Sequence, residues 1–216
     1  MQYTWIDRFH KILTPDILLN GFVDNNFELR EKFLIYANSN CVKFRETAVF
    51  ELSSIGTVYC SGKCQGKKIG LNSSENIINI RKEYKINVGN WWKNVDLYRE
   101  FQFCFVMEHE KDHKSYITEK ILLAYSAGCI PIYYGPDLIF DIFNKNSFVF
   151  YNISNPSPAL KIVKELRNDK EKMKEMKNQK ILSNGYKTLQ KYFSFNDEVG
   201  DGHLKKILRE KIGLKE

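Results

Sequence analysis

The segment from Phe101 to Pro136 constrains the fold of this chain more than any other. It opens with seven apolar or neutral residues, Phe101 to Met107, a length and composition typical of a central strand. A loop rich in charged and aromatic side chains follows, and then a run of small and apolar residues that ends at Gly128. The apolar run Ile130 to Tyr134 completes the segment. Two strands joined by one helix predict a β-α-β unit and therefore a parallel sheet.

The helix of this unit is predicted to begin at Ser115 and to run to Ala127. Ser115 is a favourable N-cap residue, and the glycine after Ala127 is a common helix stop. Such a helix would hold Thr118, Glu119 and Lys120 in its first turn, where unpaired amides and the helix dipole favour a phosphate. The residue pattern alone slightly favours the other interpretation, in which Ser115, Thr118 and Glu119 only cap the helix.

A second β-α-β unit is predicted upstream. The apolar run Phe33 to Ala37 indicates a strand, residues 43–54 have helical spacing, and Thr57 to Cys60 indicates another strand. The loop from Asn38 to Arg45 would then open at the carboxyl edge of the sheet, where α/β proteins bind their ligands. This loop is a second candidate binding segment.

The remaining elements are predicted from weaker patterns. Residues 62–89 are expected to be mostly loop, with one short element at residues 77–80. A capped helix with inward tryptophans is expected at residues 90–98, and a short strand at 147–151. Residues 156–190 suggest one long Lys/Glu-rich helical stretch, and residues 204–214 suggest a basic amphipathic helix. Packing of that last helix against the core or a partner is favoured over membrane contact, which stays an alternative.

The charge balance favours anionic partners without choosing among them. The 216 residues carry a formal net charge of +7 and have a pI near 9.0. The lysines are scattered, and neither a zinc-finger spacing nor an RNA-recognition motif occurs, so nucleic-acid binding is not expected. We find no apolar stretch of membrane-spanning length and no signal peptide, so we expect a cytoplasmic or peripheral membrane protein.

The cysteines and histidines give no clear metal site. The chain has five cysteines; Cys104 and Cys129 lie in apolar runs and are expected to behave as small hydrophobic residues. Cys60 and Cys64 lack a second ligand pair at zinc spacing, so we expect neither a disulfide scaffold nor a metal. The loop histidines at positions 109 and 113 are interpreted as solvated.

Five short motifs, taken together, resemble one known family. Upstream they are Asn38-Ser39-Asn40-Cys41 followed by Arg45, and Tyr59-Cys60-Ser61-Gly62-Lys63-Cys64. Downstream they are Met107-Glu108-His109, Tyr116-Ile117-Thr118-Glu119-Lys120, and Ala127-Gly128-Cys129-Ile130-Pro131-Ile132-Tyr133-Tyr134-Gly135-Pro136. Their order and spacing resemble the donor-binding signature of the α1,3/4-fucosyltransferases, glycosyltransferase family ten. His109 stands where that family usually has asparagine.

The resemblance implies a fold and a domain organisation. It implies an α/β, Rossmann-like parallel sheet, the C-terminal donor half of a GT-B glycosyltransferase with a helical C-terminal extension. Residues 1–31 would be a short N-terminal segment, either a remnant of an acceptor domain or a link to one. Residues 32–192 would be the nucleotide-sugar donor-binding domain, and residues 193–216 a helical tail.

The resemblance also implies a reaction and a set of site residues. An inverting enzyme would transfer fucose from GDP-fucose to a GlcNAc-containing glycan, without a required divalent ion, cofactor or nucleic acid. In agreement, the sequence contains no Asp-x-Asp motif. The family's catalytic base is a glutamate in the preceding acceptor domain, so the base cannot be placed in this chain. The implied donor-binding residues are Asn40, Arg45, Glu108, Tyr116, Thr118, Glu119 and Lys120.

Two alternatives remain open from the sequence. The chain would be a truncated donor-binding fragment without transferase activity if no acceptor site accompanies it. A basic nucleic-acid-binding protein that reuses the fold is the second alternative. Peripheral membrane contact through the basic C-terminal tail would be compatible with any of the three readings.

Overall fold

A parallel β-sheet forms the centre of the protein. The structure is a computed structural model, and it describes residues 13–21, 27–66, 74–83, 91–108 and 116–214. Within these residues the sheet has six strands in the order β3-β2-β1-β4-β5-β6, and every neighbouring pair is parallel. The strands are β1 (Lys32–Tyr36), β2 (Val58–Cys60), β3 (Ile77–Asn79), β4 (Phe101–Met107), β5 (Ile130–Tyr134) and β6 (Val149–Phe150).

Helices cover both faces of this sheet. Consecutive residues of β4 point to opposite faces, so that Phe103 and Phe105 join one core while Cys104 and Val106 join the other. Because both faces are buried, β4 (apart from Gln102) and β5 are continuously apolar instead of alternating. The described helices are α1 (Pro15–Asn20), α2 (Lys43–Leu52), α3 (Val95–Tyr98), α4 (Lys120–Ala127), α5 (Ile139–Ile142), α6 (Ser157–Asn168), α7 (Lys170–Lys177), α8 (Gly185–Phe193) and α9 (His203–Lys211).

Most predicted elements are confirmed, with two corrections. The predicted strands and the helix at residues 43–54 occur as β1, β2, β4, β5, β6 and α2, and the short element near residue 77 is β3. The helix predicted from Ser115 begins instead at Lys120. The stretch predicted to be helical over residues 156–190 is helical but consists of three helices, α6, α7 and α8. The tryptophan side chains of residues 91–92 lie outside the described residues.

Asp169 explains the first of the breaks in that stretch. Its backbone is extended (φ −129°, ψ 100°), which ends α6. Its side chain accepts a hydrogen bond from the backbone N–H of Lys172 at 3.1 Å and thereby caps α7. An aspartate is a strong N-cap residue, so two short helices replace one long one.

The expectation of no disulfides is also wrong. Cys104 in β4 and Cys129, directly before β5, are bonded to each other, with their Cα atoms 5.8 Å apart. Neighbouring strands lie about 4.8 Å apart, so cysteines on the same face of two adjacent strands come within bonding distance. Structural disulfides are more common in oxidising compartments than in the cytosol, and the expected cytoplasmic or peripheral membrane location stays a prediction.

The last helix, α9, is the predicted amphipathic tail helix. Its first turn is held to the end of α8, because the backbone N–H of Leu204 donates to Ser194 Oγ at 2.8 Å. Towards its end the apolar side chains become accessible: Leu208 is 40% and Ile212 is 70% exposed. None of the described helices is both long and apolar enough to span a bilayer.

Candidate binding site at the carboxyl edge of the sheet

The strand order reverses between β1 and β4. β2 and β3 lie on one side of β1, whereas β5 and β6 lie on the far side of β4. The chain segments that leave β1 and β4 therefore turn in opposite directions and leave a crevice, which is where open α/β sheets bind ligands. The loop after β1 contains Asn40 and leads into α2, and the segment after β4 begins at Glu108. Both candidate binding segments meet at this β1/β4 edge.

Arg45 joins the two segments. It lies in the first turn of α2 and is only 1% exposed. Its Nη1 donates to the carbonyl of Asn40 at 3.2 Å, and its Nη2 donates to the carbonyl of Met107 at the end of β4. Arg45 Nε makes no hydrogen bond among the residues that the structure describes. The guanidinium thus fixes the distance between the β1 loop and the end of β4.

The charge of Arg45 is retained despite its burial. Burial lowers the pKa of the guanidinium, while the nearby Tyr36, Glu108 and Tyr116 raise it. An arginine side chain is not deprotonated in a protein at physiological pH. A permanent positive charge therefore lies beneath the β1/β4 edge, and the half-buried Tyr116 lies close enough to interact with it.

Glu108 is the centre of a hydrogen-bonded cluster that we call the Glu108 cluster: Glu108, Thr118 and Lys120. The glutamate is completely buried, and its backbone N–H continues the sheet by donating to Tyr134 at 2.8 Å. Its Oε1 accepts from the Thr118 N–H at 2.7 Å, and both carboxylate oxygens lie 2.9 Å from the Thr118 hydroxyl. The Lys120 ammonium donates to Glu108 Oε2 at 3.3 Å and to the Thr118 hydroxyl at 2.7 Å.

This cluster explains the late start of α4. Because the backbone N–H of Thr118 is held by the Glu108 carboxylate, residues 116–118 remain outside the helix, which starts at Lys120. Glu119 occupies the N-cap position without a side-chain capping bond. Thr118 is therefore outside the first turn, which differs from the expectation, while Lys120 lies in it.

The other two predicted residues lie nearby in different settings. Asn40 is exposed, and its backbone carbonyl is the group that Arg45 holds. Glu119 is half-buried. Burial of Tyr98 is the main cause that raises the pKa of its hydroxyl, and the charge of Glu119 raises it further. The structure therefore brings Arg45 and the Glu108 cluster together at one edge, with the backbone of Asn40 attached to them.

A second disulfide, missed by the sequence analysis, braces the β1 loop. Cys41 in this loop is bonded to Cys64 in the loop after β2, with Cα atoms 5.1 Å apart. The Cys64 N–H also donates to the carbonyl of Asn38 at 3.1 Å. Gly62 packs so closely that a Cβ at this position would lie 2.0 Å from the Asn38 carbonyl oxygen. The available signal was the placement of both cysteines directly after neighbouring strands.

The same disulfide bears on metal binding. Cys41, Cys64 and Glu46 bring their possible ligand atoms within 4.8 Å of one another. The two sulfurs are bonded to each other, however, and a metal is bound by a thiolate. The Glu46 carboxylate accepts instead from the Tyr36 hydroxyl and from the Gln65 N–H at 3.3 Å.

Two buried hydroxyl groups near the carboxyl ends of β2 and β5 are available to form hydrogen bonds. Ser61 Oγ, directly after β2, and the Tyr133 hydroxyl, near the end of β5, make no hydrogen bond within the described part of the chain. The hydroxyl of Tyr133 reaches the end of its strand, because a Cβ at Gly135 would lie 2.2 Å from it. Burial, and then the charge of Glu108, raise the pKa of this tyrosine. Buried polar groups of this kind are common at sites that bind polar ligands.

A family model matches most of the chain. Residues 27–180 match the model described as glycosyltransferase family 10 (fucosyltransferase) C-term. The matched range contains Arg45, the Glu108 cluster and both disulfides. No curated protein sequence matches the chain.

Solved structures of α1,3-fucosyltransferases share the fold. One is 22% identical with a TM-score of 0.60, covering 87% of this chain and 46% of the solved chain. A second, solved with GDP, is 23% identical with a TM-score of 0.53 and coverages of 79% and 44%. A third, solved with GDP-fucose, is 24% identical with a TM-score of 0.52 and coverages of 80% and 45%. The present chain thus spans slightly less than half the length of these proteins.

Proposed function

Because the chain belongs to the C-terminal domain family of the glycosyltransferase family 10 fucosyltransferases, we propose that it binds GDP-fucose at the β1/β4 edge and transfers the fucose to a GlcNAc-containing glycan. Two of the similar α1,3-fucosyltransferases were solved with GDP and with GDP-fucose. The crevice at the strand reversal is also where a Rossmann-like sheet binds a nucleotide. Family membership and fold therefore support the same donor.

The observation that carries this proposal is the pair of cationic side chains at the β1/β4 edge. Lys120 is 28% exposed, so a ligand in the crevice can reach its ammonium, while Arg45 lies buried behind the edge. Two of the three ammonium protons of Lys120 are used by Glu108 and Thr118 among the described residues, which leaves one for an anion. A diphosphate is an anion of suitable charge for such a site.

The chemistry of transfer requires positive charge at this position. In an inverting transfer, an acceptor oxygen attacks the sugar carbon on the face opposite to GDP, and the bond to GDP breaks with its electron pair on the departing phosphate oxygen. The proton of the acceptor hydroxyl passes to a base, which we do not assign within this chain. Fixed cations stabilise the negative charge that grows on GDP in the transition state. Lys120, with Arg45 behind it, would therefore supply the positive charge that a divalent ion supplies in metal-dependent transferases.

The other residues receive their roles from the same proposal. Glu119, at the N-cap of α4, would accept hydrogen bonds from ribose hydroxyls. Tyr116 and Thr118 would border the sugar and phosphate groups, and Asn40 would approach the donor from the β1 loop. The exposed or half-buried positions of these four residues are compatible with contact to a ligand.

A thermal-shift titration with GDP and GDP-fucose tests the proposal directly. A ligand present at 100 times its Kd stabilises the folded state by about 2.7 kcal/mol, which corresponds to about 5 °C or more in Tm for a chain of this size. Loss of a charge-assisted hydrogen bond costs about 1.5–3 kcal/mol, so Lys120→Ala is expected to weaken GDP binding about 10- to 100-fold. Lys164→Ala, on the exposed side of α6, is the matched control and should bind GDP normally.

The transfer step is tested separately with an N-acetyllactosamine-type acceptor. Release of fucose to this acceptor, lost in Lys120→Ala and retained in Lys164→Ala, would support the full proposal. Donor binding without transfer would restrict the function to a donor-binding fragment. The absence of a thermal shift with either nucleotide would refute the donor site, and salt-sensitive binding of nucleic acid that GDP does not displace would favour the nucleic-acid alternative.

A further inference from the structure

Glu108 is a buried carboxylate beside a site that is proposed to bind a diphosphate. Its side chain has no exposed area, so a ligand in the crevice cannot reach it without moving Thr118 or Lys120. A negative charge next to phosphate groups is also repulsive. A direct contact between Glu108 and the donor, which the family resemblance implied, is therefore unfavourable on both counts.

We propose that Glu108 is a positioning residue, which acts on the donor only through Lys120 and Thr118. This inference rests on the proposed function for the identity of the anion. The carboxylate holds the ammonium of Lys120 and the backbone of Thr118 in one arrangement before any ligand arrives. The donor then meets a cation whose position is already fixed.

The hydrogen bonds within the Glu108 cluster use the carboxylate almost fully. Oε1 accepts from the Thr118 N–H, Oε2 accepts from the Lys120 ammonium, and the Thr118 hydroxyl lies 2.9 Å from both oxygens. The Thr118 hydroxyl accepts in turn from Lys120 at 2.7 Å. Each of the three residues is therefore bonded to the other two, and the carboxylate has little remaining capacity for a sugar hydroxyl.

A hydrogen-bond partner such as Glu108 benefits a ligand-binding lysine more than it would benefit a rigid side chain. Its ammonium sits on a flexible four-carbon chain, and ordering a chain of this kind upon binding reduces affinity. In the Glu108 cluster this ordering takes place when the protein folds. The cost is that Glu108 partly neutralises the charge of Lys120. Arg45 offsets this cost, because the net charge of Glu108, Lys120 and Arg45 together remains positive.

The inference is tested with a double-mutant cycle on GDP binding. Wild type, Glu108→Gln, Lys120→Met and the double variant are compared by calorimetric titration with GDP. Glutamine keeps the shape of Glu108 and one acceptor oxygen for Thr118, but the NH2 group that replaces the other oxygen cannot accept from the Lys120 ammonium. Glu51→Gln is the matched control, because Glu51 accepts from the Tyr151 hydroxyl and is not bonded to a lysine in the described residues.

The expected result is strong coupling between the two positions. Glu108→Gln should weaken GDP binding about tenfold, and the double variant should bind no more than about twofold more weakly than Lys120→Met alone. Additive losses would overturn the inference, because they would mean that Glu108 acts on the donor independently of Lys120. Unchanged or tighter GDP binding in Glu108→Gln would overturn it as well. The control should bind like the wild type.

Melting temperatures of the same four proteins without nucleotide separate a role in binding from a role in stability. A lower Tm in Glu108→Gln with wild-type affinity would reduce Glu108 to a structural residue and overturn the inference. If Glu108→Gln does not fold, Glu108→Asp keeps the charge at a shorter reach and should lose affinity similarly. If the wild type itself binds no GDP, the proposed function fails, and additive Tm losses in the cycle would then refute the Glu108–Lys120 coupling on its own.

Discussion

Replacing both Cys41 and Cys64 with serine removes the cross-link that braces the β1 loop. This disulfide joins residues 23 positions apart, and Cys104–Cys129 joins residues 25 positions apart. The loop-entropy treatment gives about 3.4 and 3.5 kcal/mol of stabilisation for the two, so they form a matched pair. With about 2–4 °C of Tm per kcal/mol in a chain of this size, loss of either is expected to lower Tm by about 7–14 °C.

The two changes should differ in their effect on nucleotide binding. Cys41 follows directly after Asn40, whose carbonyl holds Arg45 at the site. A loosened loop must be ordered again upon binding, at about 0.5–1.5 kcal/mol, so GDP affinity should fall about 3- to 10-fold. Cys104 lies three residues before the end of β4, and Cys129 lies before the start of β5. Changing this second pair to alanine should therefore lower Tm without weakening GDP binding.

The assay combines thiol counting, melting and titration. Under non-reducing conditions the unfolded wild type should alkylate at one cysteine, Cys60, and the folded protein at none, because burial raises the pKa of Cys60 to about 12. Each double variant is then melted and titrated with GDP. The reasoning is refuted if the two variants lose GDP affinity equally, or if the Cys41/Cys64 variant melts like the wild type.

Two further predictions concern the packing of the β1 loop and buried tyrosines. Gly62→Ala should lower the free energy of unfolding by about 1–3 kcal/mol through overpacking and should weaken GDP binding. The control is Gly185→Ala, whose Cβ would meet no atom within 4 Å and which should leave GDP binding unchanged. Equal GDP affinities in the two variants would contradict this prediction. Burial, and then the bonds to Glu46 and Glu51, raise the pKa values of Tyr36 and Tyr151, so the unfolded chain loses these protons first as pH rises. The contribution of these two tyrosines to stability should thus be constant below a pH of about 10 and fall above it, with a smaller fall in Tyr36→Phe. Equal losses of unfolding free energy in the wild type and in Tyr36→Phe, from urea melts at pH 8 and pH 10.5, would refute it.

The sheet was predictable because its central strands are buried on both faces. Full burial produces continuous apolar runs, and the predicted strand Phe101 to Met107 coincides with β4. The helix α2 was predictable from its spacing and from the turn that follows it. The start of α4 was not, because the backbone N–H of Thr118, which lies in the first turn of the helix predicted from Ser115, is held by Glu108, ten residues earlier. A tertiary hydrogen bond of this kind leaves no local pattern.

The candidate site was predictable as a set of residues but not as an arrangement. The motifs placed Arg45, Glu108, Thr118 and Lys120 at one edge, and the structure brings them together there. The burial of Arg45 and Glu108 was missed, since it depends on how helices cover the strand ends. Both disulfides were missed because their pairing follows from the strand order, which brings Cys41 close to Cys64 and Cys104 close to Cys129.

The placement of the two disulfides has a consequence for how the protein assembles. One joins the loop after β1 to the loop after β2, the other lies within the β4-α4-β5 unit, and neither crosses the strand reversal. Each closes a loop between neighbouring elements, and such local loops form earlier than distant contacts. During synthesis the first unit can be oxidised before the second has been made. Neither disulfide depends on the pairing of β1 with β4, so each half of the site can be cross-linked before the two halves meet.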